Sequence, residues 1–196
     1  MTATLVTDRR RFGLSVDELV GRAARAGADV IQVRERDLCD RELIALVRAM
    51  IRATQGTRTK ILVNDRADIA IAAGAAGVHL RSDSAPGARV RAAFDASAEA
   101  SAPPATECFL IGRSVHSLDD VDAAVAEGAY DYLMFGTVFR SAGKPADHAV
   151  AGLDGLTAAC RRSPLPVIAI GGIDATHLDA VAKTGAAGFA GVGMFM

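Results

Sequence analysis

The sequence has little aromatic content, few cysteines and no long apolar run. Among 196 residues there is no tryptophan and 5% are aromatic, yet 51% are hydrophobic, which is enough apolar side chain for one globular domain over residues 1–196. No apolar run approaches the roughly 20 residues of a transmembrane helix, and no signal-peptide pattern opens the chain. The three cysteines form no CxxC pair, so we expect reduced thiols and a cytoplasmic protein.

Neither sign of charge is in excess. The 22 Lys+Arg residues balance 23 Asp+Glu residues at a net charge of −1, which disfavours nucleic-acid binding through a broad basic surface. Lysine is scarce, since only Lys60, Lys144 and Lys183 occur. A Schiff-base enzyme needs a lysine that projects from a strand into the site. Lys60 begins a predicted strand, Lys183 ends a predicted helix, and Lys144, the one near the predicted site, lies in a loop, so this chemistry is disfavoured.

Short β-branched runs alternate with longer segments of helical periodicity, which is the pattern of repeated βα units. Four segments, AGADVIQVRE, AGAAGVHLRS, EGAYDYLMFG and TGAAGFAGVG, each place a glycine at a helix end directly before a strand. No GxGxxG follows the first strand, so this pseudo-symmetry predicts a closed (β/α)₈ barrel of the TIM type. The predicted strands are Thr2–Thr7, Val30–Glu35, Lys60–Asp65, Gly77–Arg81, Cys108–Val115, Tyr130–Val138, Val167–Gly171 and Gly188–Met194.

Seven helices are predicted between these strands, which makes a short barrel that lacks the last helix. The apolar barrel surface left uncovered predicts a homodimer. The segment Asp95–Thr106, rich in small residues and proline, is expected to be a loop. The predicted helices are Val16–Ala26, Arg41–Thr54, Arg66–Ala73, Ala88–Phe94, Leu118–Glu127, Leu153–Arg162 and Ala175–Thr184.

The second predicted strand ends in polar residues, at the end of the barrel where active sites lie. Its last residues read Gln32-Val33-Arg34-Glu35-Arg36, and the period of two sends Gln32, Arg34 and Arg36 to one face. Two guanidinium groups and an amide at a barrel mouth suit a phosphate or pyrophosphate. The alternative is a solvated turn whose charges pair with each other.

The third and fourth predicted strands also end in polar residues. Asn64 and Asp65 end strand three, where an amide beside a carboxylate suits Mg²⁺; the alternative is a cap on the next helix. His79 and Arg81 share a face at the end of strand four, with Asp83 following. A lone histidine is either a structural hydrogen-bonding residue or a ligand contact, and no ExxH or HxH spacing indicates a transition metal.

The remaining candidates follow strands five to eight. Ser114 ends strand five without the GxSxG of a hydrolase. The polar loop over 139–150 carries Ser141 and Lys144 and is either a lid over a ligand or an exposed loop. Glycines end strands seven and eight, where this fold cradles phosphate on backbone N–H groups; tight turns are the alternative. These glycines are Gly171, Gly172 and Gly193.

Together these residues resemble the thiamine phosphate synthase family, which includes the TenI-type thiazole tautomerases. The resemblance extends over nearly the whole chain, with seven motifs in family order. They are LVTDRR (5–10), QVRER (32–36), NDRADIA (64–70), GVHLRSD (77–83), IGRSVHS (111–117), DYLMFGTVFRSAGK (131–144) and PVIAIGGI (166–173).

The resemblance implies a transferase that joins an aminopyrimidine methyl pyrophosphate to a thiazole phosphate and releases pyrophosphate, assisted by Mg²⁺. It implies that Asp65 binds Mg²⁺ and that Gly172 and Gly193 hold the phosphate of the thiazole. It assigns the pyrimidine and its pyrophosphate to Gln32, Arg34, Asn64, Ser114 and Lys144.

The chain departs from the synthase pattern mainly in the pyrimidine half. Where the family has HLGQxD, this chain reads HLRSDS, so Arg81 replaces a glycine and Ser84 takes the place of the second metal aspartate. Asp83, one position earlier, is then the remaining candidate ligand. Arg36 stands where the synthases have lysine.

These departures leave a TenI-type tautomerase and a non-catalytic thiazole-phosphate binder as alternatives. The family's Thr-x-Thr-Lys loop has become Ser141-Ala142-Gly143-Lys144, while the thiazole-phosphate half is intact. The tautomerase's catalytic histidine corresponds to Thr137, so His79 or His116 would have to move the proton in that case.

Overall fold

A computed structural model describes residues 1–100, 108–141 and 149–193 and contains a closed barrel of eight parallel strands. The strands follow each other around the barrel in chain order, and β1 pairs with β8 to close it. The predicted (β/α)₈ barrel is confirmed. The strands are β1 Thr2–Val6, β2 Val30–Val33, β3 Lys60–Asn64, β4 Gly77–Leu80, β5 Leu110–Val115, β6 Tyr132–Phe135, β7 Val167–Ile170 and β8 Gly188–Gly191.

Seven α-helices accompany these strands in the described residues, as predicted for a short barrel. None of the helices described is long and apolar enough to cross a membrane. Short 3₁₀ helices at Arg9–Phe12 and Ala175–His177 precede the first and last of them. The helices are α1 Val16–Arg25, α2 Asp40–Ala53, α3 Ala67–Ala73, α4 Gly87–Ala100, α5 Leu118–Glu127, α6 Gly152–Arg162 and α7 Leu178–Lys183.

Local sequence signals determine where helices begin and end. Helix α1 begins with a capping box, in which the Ser15 hydroxyl accepts from the Glu18 N–H and the Glu18 carboxylate accepts from the Ser15 N–H. The glycines of the four sequence repeats all have φ between 66° and 89°, a conformation that L side chains avoid. These glycines, which turn the chain toward β2, β4, β6 and β8, are Gly27, Gly74, Gly128 and Gly185.

The barrel interior is divided into an apolar and a polar half. Side chains on the outer face of the strands pack beneath the helices in the larger of two apolar clusters. The smaller cluster comes from β1, β6, β7 and β8 and consists of Val6, Met134, Ile168 and Ala190. Toward the carboxyl ends of β2 to β5 the interior carries polar side chains, while Val30 and Leu62 lie nearer the amino ends. The polar side chains are Gln32, Asn64, His79 and Ser114.

One predicted loop is wrong in part. The segment expected to be a connector from Asp95 onward continues helix α4 as far as Ala100. Alanine is the strongest helix former and glutamate is close to it, and the run DASAEA therefore extends the helix by nearly two turns. The prolines that motivated the loop prediction lie later, in residues outside the described part of the chain.

Candidate active site

Gln32 on β2 and Asn64 on β3 form a neighbouring amide pair near the carboxyl ends of their strands. Nε2 of Gln32 donates to Oδ1 of Asn64 at 2.9 Å. Gln32 is buried, and its Oε1 receives no hydrogen bond from any residue in the described ranges. Because a buried acceptor without a donor costs free energy, this oxygen is suited to accept a hydrogen bond from a bound molecule.

Arg34 is held at the barrel mouth by the end of β1. Its backbone N–H donates to Oγ1 of Thr7 at 2.9 Å, and its Nη1 lies 3.5 Å from Oδ2 of Asp8. Burial, and secondarily the charge of Arg36, lower the pKa of Arg34, but a guanidinium stays protonated at neutral pH. The ion pairs of this turn join Arg34 to Asp8 and Asp37 to Arg9. They run to the loop after β1, whereas the alternative expected them within the turn itself. Arg34 keeps 30% of its side chain exposed, and Arg36 is exposed.

Glu35, on the other face of this segment, ties the loop after β1 to the end of β2. Its buried carboxylate accepts from the backbone N–H of Arg9 at 3.1 and 3.2 Å, while the Arg9 guanidinium pairs with Asp37. Burial raises the pKa of Glu35 above its ordinary value. This clamp fixes the loop that carries Asp8 and thereby the position of Arg34.

His79 lies inside the barrel between Ser114 and Tyr132 and is 1% exposed. Its Nε2 lies 2.9 Å from Oγ of Ser114, and its Nδ1 lies 3.0 Å from the hydroxyl of Tyr132. Burial lowers the pKa of His79 to about 4. The ring is therefore neutral at pH 7, with one nitrogen a donor and the other an acceptor.

The hydrogen bonds around His79 determine which nitrogen carries the proton. His79 is the only hydrogen-bond partner of the Tyr132 hydroxyl among the residues described, so a hydroxyl that only accepted would leave its own proton unpaired. Tyr132 therefore donates to Nδ1, and Nε2–H donates to Ser114. The Ser114 hydroxyl is then left to donate its proton toward the mouth. His79 reaches a bound molecule only through Ser114.

Asp65, directly after β3, lies beneath the loop that follows β4. Its φ is 64°, and its N–H donates to the carbonyl of His79 at 2.8 Å. The Ser84 hydroxyl donates to Oδ1 of Asp65, and Nε of Arg81 lies 3.5 Å from Oδ2. Arg81 also donates to both oxygens of Asp83, from Nε at 2.8 Å and from Nη2 at 2.5 Å.

The carboxylate oxygens of Asp65 and Asp83, as arranged, do not fit a magnesium ion. Mg²⁺ requires near-octahedral oxygen ligands at roughly 2.0–2.1 Å, whereas both oxygens of Asp65 are engaged and those of Asp83 face a guanidinium. Within the described ranges, no group of three or more His, Cys, Asp or Glu side chains could hold a metal ion. Magnesium dependence therefore stays an untested prediction.

The glycines after β7 pack closely against the segment that follows β6. Gly171 and Gly172 have φ values of 102° and 63°. A Cβ on Gly171 would lie 2.5 Å from Cγ2 of Thr137, and one on Gly172 would lie 2.3 Å from the carbonyl oxygen of Arg140. The turn itself therefore requires glycine at both positions, as the tight-turn alternative predicted, and a role in phosphate binding stays a prediction.

Of the three remaining predicted site residues, Gly193 and Ser141 lie in the described part of the chain, and Lys144 does not. Gly193 is exposed two positions after β8, and a Cβ there would lie 4.0 Å from the ring of Phe12. Ser141 is partly exposed at the end of the described segment after β6. Lys144 lies outside the described residues.

The sequence analysis did not identify two residues that support the site, Tyr132 and Arg113. Tyr132 faces Gly112 across the β5–β6 register, and a Cβ on Gly112 would lie 2.1 Å from Cζ of Tyr132. A glycine opposite an inward tyrosine is a signal that could have revealed this packing. Arg113 donates to the carbonyls of Ser82 at 2.8 Å and Ser84 at 3.4 Å, and so anchors the loop over Asp65.

A cavity of about 710 Å³ opens at the opposite end of the barrel. It is lined by residues at the amino ends of strands, such as Thr2, Lys60 and Tyr132. None of the predicted site residues lines it, and active sites of this fold lie at the carboxyl ends of the strands. We therefore assign the reaction to the carboxyl end.

Comparisons with known proteins identify the family to which the chain belongs. The family described as thiamine monophosphate synthase matches residues 3–195. The thiamine-phosphate synthase of Roseiflexus castenholzii is 35% identical over 187 residues, which cover 95% of this chain and 77% of that protein. The corresponding enzyme of Methanoculleus marisnigri is 38% identical over 184 residues, covering 89% and 82%. The structure of thiamine phosphate pyrophosphorylase from Pyrococcus furiosus superposes with a TM-score of 0.77 at 32% identity, covering 97% and 85%. The chain belongs to the thiamine monophosphate synthase family.

Proposed function

We propose that this chain acts in thiamine biosynthesis as a thiamine-phosphate synthase. In this reaction the aminopyrimidine methyl group moves from its pyrophosphate to thiazole phosphate, and pyrophosphate is released. Family membership over residues 3–195 and the activity named for its relatives support the proposal. The polar half of the barrel interior supports the location of the pyrimidine.

The observation that carries the proposal is the buried amide pair of Gln32 and Asn64. Oδ1 of Asn64 accepts a hydrogen bond from Gln32. Oε1 of Gln32 is a buried acceptor with no donor among the described residues. An aminopyrimidine presents an amino group beside ring nitrogens, so it can donate to this oxygen. The pair therefore suits the aromatic, amino-bearing half of the substrate rather than its phosphates.

The protein must then stabilise the departing pyrophosphate. The bond between the methylene carbon and the pyrophosphate oxygen breaks, and its electron pair leaves with that oxygen. The thiazole nitrogen uses its lone pair to form the new C–N bond, so no general base is needed. Arg34 supplies a positive charge and Ser114 supplies a hydroxyl donor, which together stabilise the negative charge that develops. The resemblance adds Lys144 to this group.

The thiazole phosphate is assigned to the loops after β7 and β8. Backbone N–H groups at these loops are the usual phosphate site of the (β/α)₈ fold. Gly172, together with Gly193, provides a backbone without side chains in this region. The two substrates would then meet across the mouth, with the methylene carbon between them.

A coupled assay tests the proposal. Purified protein is incubated with both substrates, with and without Mg²⁺, and any thiamine phosphate is oxidised to fluorescent thiochrome. We expect product from the wild-type chain, and a KM for the pyrimidine pyrophosphate at least about tenfold higher in Gln32→Leu, because one buried hydrogen bond is lost. Gln55→Leu, at an exposed position, is the matched control and should leave KM unchanged. A folded wild-type chain that forms no thiamine phosphate would contradict the proposal.

The contact between Arg81 and Asp65 favours a second candidate, a TenI-type tautomerase. An isomerisation of a thiazole carboxylate phosphate needs no metal-assisted departure of pyrophosphate, so an engaged Asp65 is no obstacle to it. Exposed His116, whose Nδ1 lies 2.5 Å from the carbonyl of Gly136, is better placed at the mouth than buried His79. Thr137→His tests the idea, because a gain of tautomerase activity would show that the pocket accepts this substrate.

The expectations of a homodimer and of a cytoplasmic location stay predictions. Light scattering at micromolar concentration tests the first of them, and a monomer would contradict it.

A further inference from the structure

Arg81 lies between two carboxylates that the sequence analysis assigned to a metal. It is the first residue after β4, and the alternation of the strand places it on the inward face with His79. Asp65, from the end of β3, and Asp83, two residues further along the same loop, both contact its guanidinium.

Each oxygen of these carboxylates contacts a hydroxyl or guanidinium group of the chain itself, by a hydrogen bond or, at Asp65 Oδ2, by an ion pair. Asp83 receives two hydrogen bonds from Arg81 in the bidentate geometry that a guanidinium favours. The oxygens of Asp65 are divided between the Ser84 hydroxyl and Arg81 Nε. The backbone N–H of Arg81 in turn donates to Oγ of Ser84 at 2.9 Å. The loop thereby closes into a ring of contacts over Asp65.

The ring is anchored from two neighbouring strands. On one side Arg113 of β5 donates to the carbonyls of Ser82 and Ser84. On the other side the backbone N–H of Asp65 is bonded to the carbonyl of His79. The contacts of Arg81 therefore belong to an ordered loop rather than to a single freely moving side chain.

We propose that Arg81 is the resident cation of this acidic pair, and that a divalent ion binds Asp65 only by displacing it. Two carboxylates and one guanidinium already share the space, so an added Mg²⁺ would lie beside a like charge. The chain would then bind divalent metal far more weakly than a site with glycine at position 81 and aspartate at position 84. The inference rests on the proposed function only in assigning a use to this site. The metal affinity itself is measured on protein that is not turning over substrate.

The test is a titration of the substrate-free protein with Mn²⁺, followed by electron paramagnetic resonance of the free ion. We expect weak binding by the wild-type chain and at least tenfold tighter binding by Arg81→Gly. The double variant Arg81→Gly/Ser84→Asp should bind most tightly, and adding Asp65→Asn should abolish the gain. Ser84→Asp alone should bind weakly, because Arg81 is still present.

Two further variants separate charge from folding. Arg81→Gln keeps a shorter hydrogen-bonding side chain without the charge, and it should also raise Mn²⁺ affinity. Arg58→Gly removes an exposed arginine at the other end of the barrel and should leave affinity unchanged. Thermal melting of each variant verifies that it is folded.

Several results would overturn the inference. One is tight Mn²⁺ binding by the wild-type chain that requires Asp65 and is unaffected by the changes at Arg81. Another is equal affinity of Ser84→Asp with and without Arg81, and a third is weak binding by every variant, which would show that Arg81 is not what limits metal binding. A failure of the thiochrome assay would leave each of these results interpretable, because the titration needs no product.

Discussion

Nε2 of His79 lies 2.9 Å from Oγ of Ser114 inside the barrel, while Nδ1 of the same ring lies 3.0 Å from the hydroxyl of Tyr132. The three side chains come from β4, β5 and β6 and form one continuous chain of hydrogen bonds. Its middle member, His79, is buried, while Ser114 lies toward the mouth and Tyr132 toward the cavity at the opposite end. A tyrosine that never reaches a substrate therefore determines which way Ser114 directs its proton.

Tyr132→Phe should show this positioning role. The ring stays, but the donor to Nδ1 is lost, so His79 can adopt the other tautomer and take the Ser114 proton. We expect a loss of about 1 kcal/mol of stability and a several-fold lower kcat. ¹⁵N NMR of the imidazole should report a changed tautomer. Tyr130→Phe is the matched control, since its hydroxyl bonds Glu127 and Gly87 away from the mouth; it should cost stability without changing kcat or the His79 tautomer.

Gly112→Ala should disturb the same series of hydrogen bonds through a steric clash. The added Cβ would lie 2.1 Å from Cζ of Tyr132, so the ring must move, at a cost of about 1–3 kcal/mol. Gly21→Ala within α1 is the control, where the new Cβ would meet only the flexible end of Arg25 at 3.4 Å. It should stabilise the protein by about 0.5–1 kcal/mol. Urea denaturation of both variants measures the free energy of unfolding. Equal changes of the same sign in the two variants would contradict the prediction.

The architecture could be predicted because its signals are local. A glycine with positive φ before every second strand marks the repeat, and each polar residue at a strand end follows from the alternation of side chains along that strand. Gln32, Asn64 and Ser114 were found in this way. Parallel strands in chain order then bring these residues to one side of the interior, because β2 to β5 are neighbours.

The contacts between loops could not be predicted in the same way. Nothing in the local sequence says that Arg81 reaches back to Asp65, or that Arg113 on the next strand holds the loop in place. These contacts depend on how far each loop extends beyond its strand and on which neighbour it meets. The helical extension to Ala100 was missed for a different reason, since nearby prolines outweighed six residues of helix-forming composition.

The stability of the protein should depend on pH through His79. Burial holds its pKa at about 4, below the ordinary 6.5, while the charge of Asp65 opposes this shift and that of Arg113 adds to it. As the pH falls below about 6.5, the unfolded chain binds a proton that the folded chain refuses. The contribution of His79 to stability is therefore complete above that pH and is lost between about 6.5 and 4, on the order of 3 kcal/mol in total.

Urea denaturation of wild-type and His79→Gln chains between pH 7.5 and 4.5 isolates this contribution, because the carboxylates titrate in both proteins. We expect the free energy of unfolding to fall more steeply for the wild type as the pH decreases. His116→Gln, at an exposed histidine, is the control for the loss of one histidine outside the barrel interior. Parallel curves for wild type and His79→Gln would mean that His79 is not held neutral by the fold.

Arg34 should act on the pyrophosphate and not on the thiazole phosphate. It lies at the mouth beside Asp8, on the polar half of the barrel, whereas the glycines after β7 and β8 lie on the other half. Arg34→Ala should lower kcat/KM for the pyrimidine pyrophosphate by about a hundredfold, and Arg34→Lys by less, because lysine keeps the charge but loses the planar fork. The KM for thiazole phosphate should stay within about twofold in both variants. Steady-state kinetics with each substrate varied in turn measures this, and a raised KM for thiazole phosphate with an unchanged kcat/KM for the pyrimidine pyrophosphate would place the pyrophosphate elsewhere.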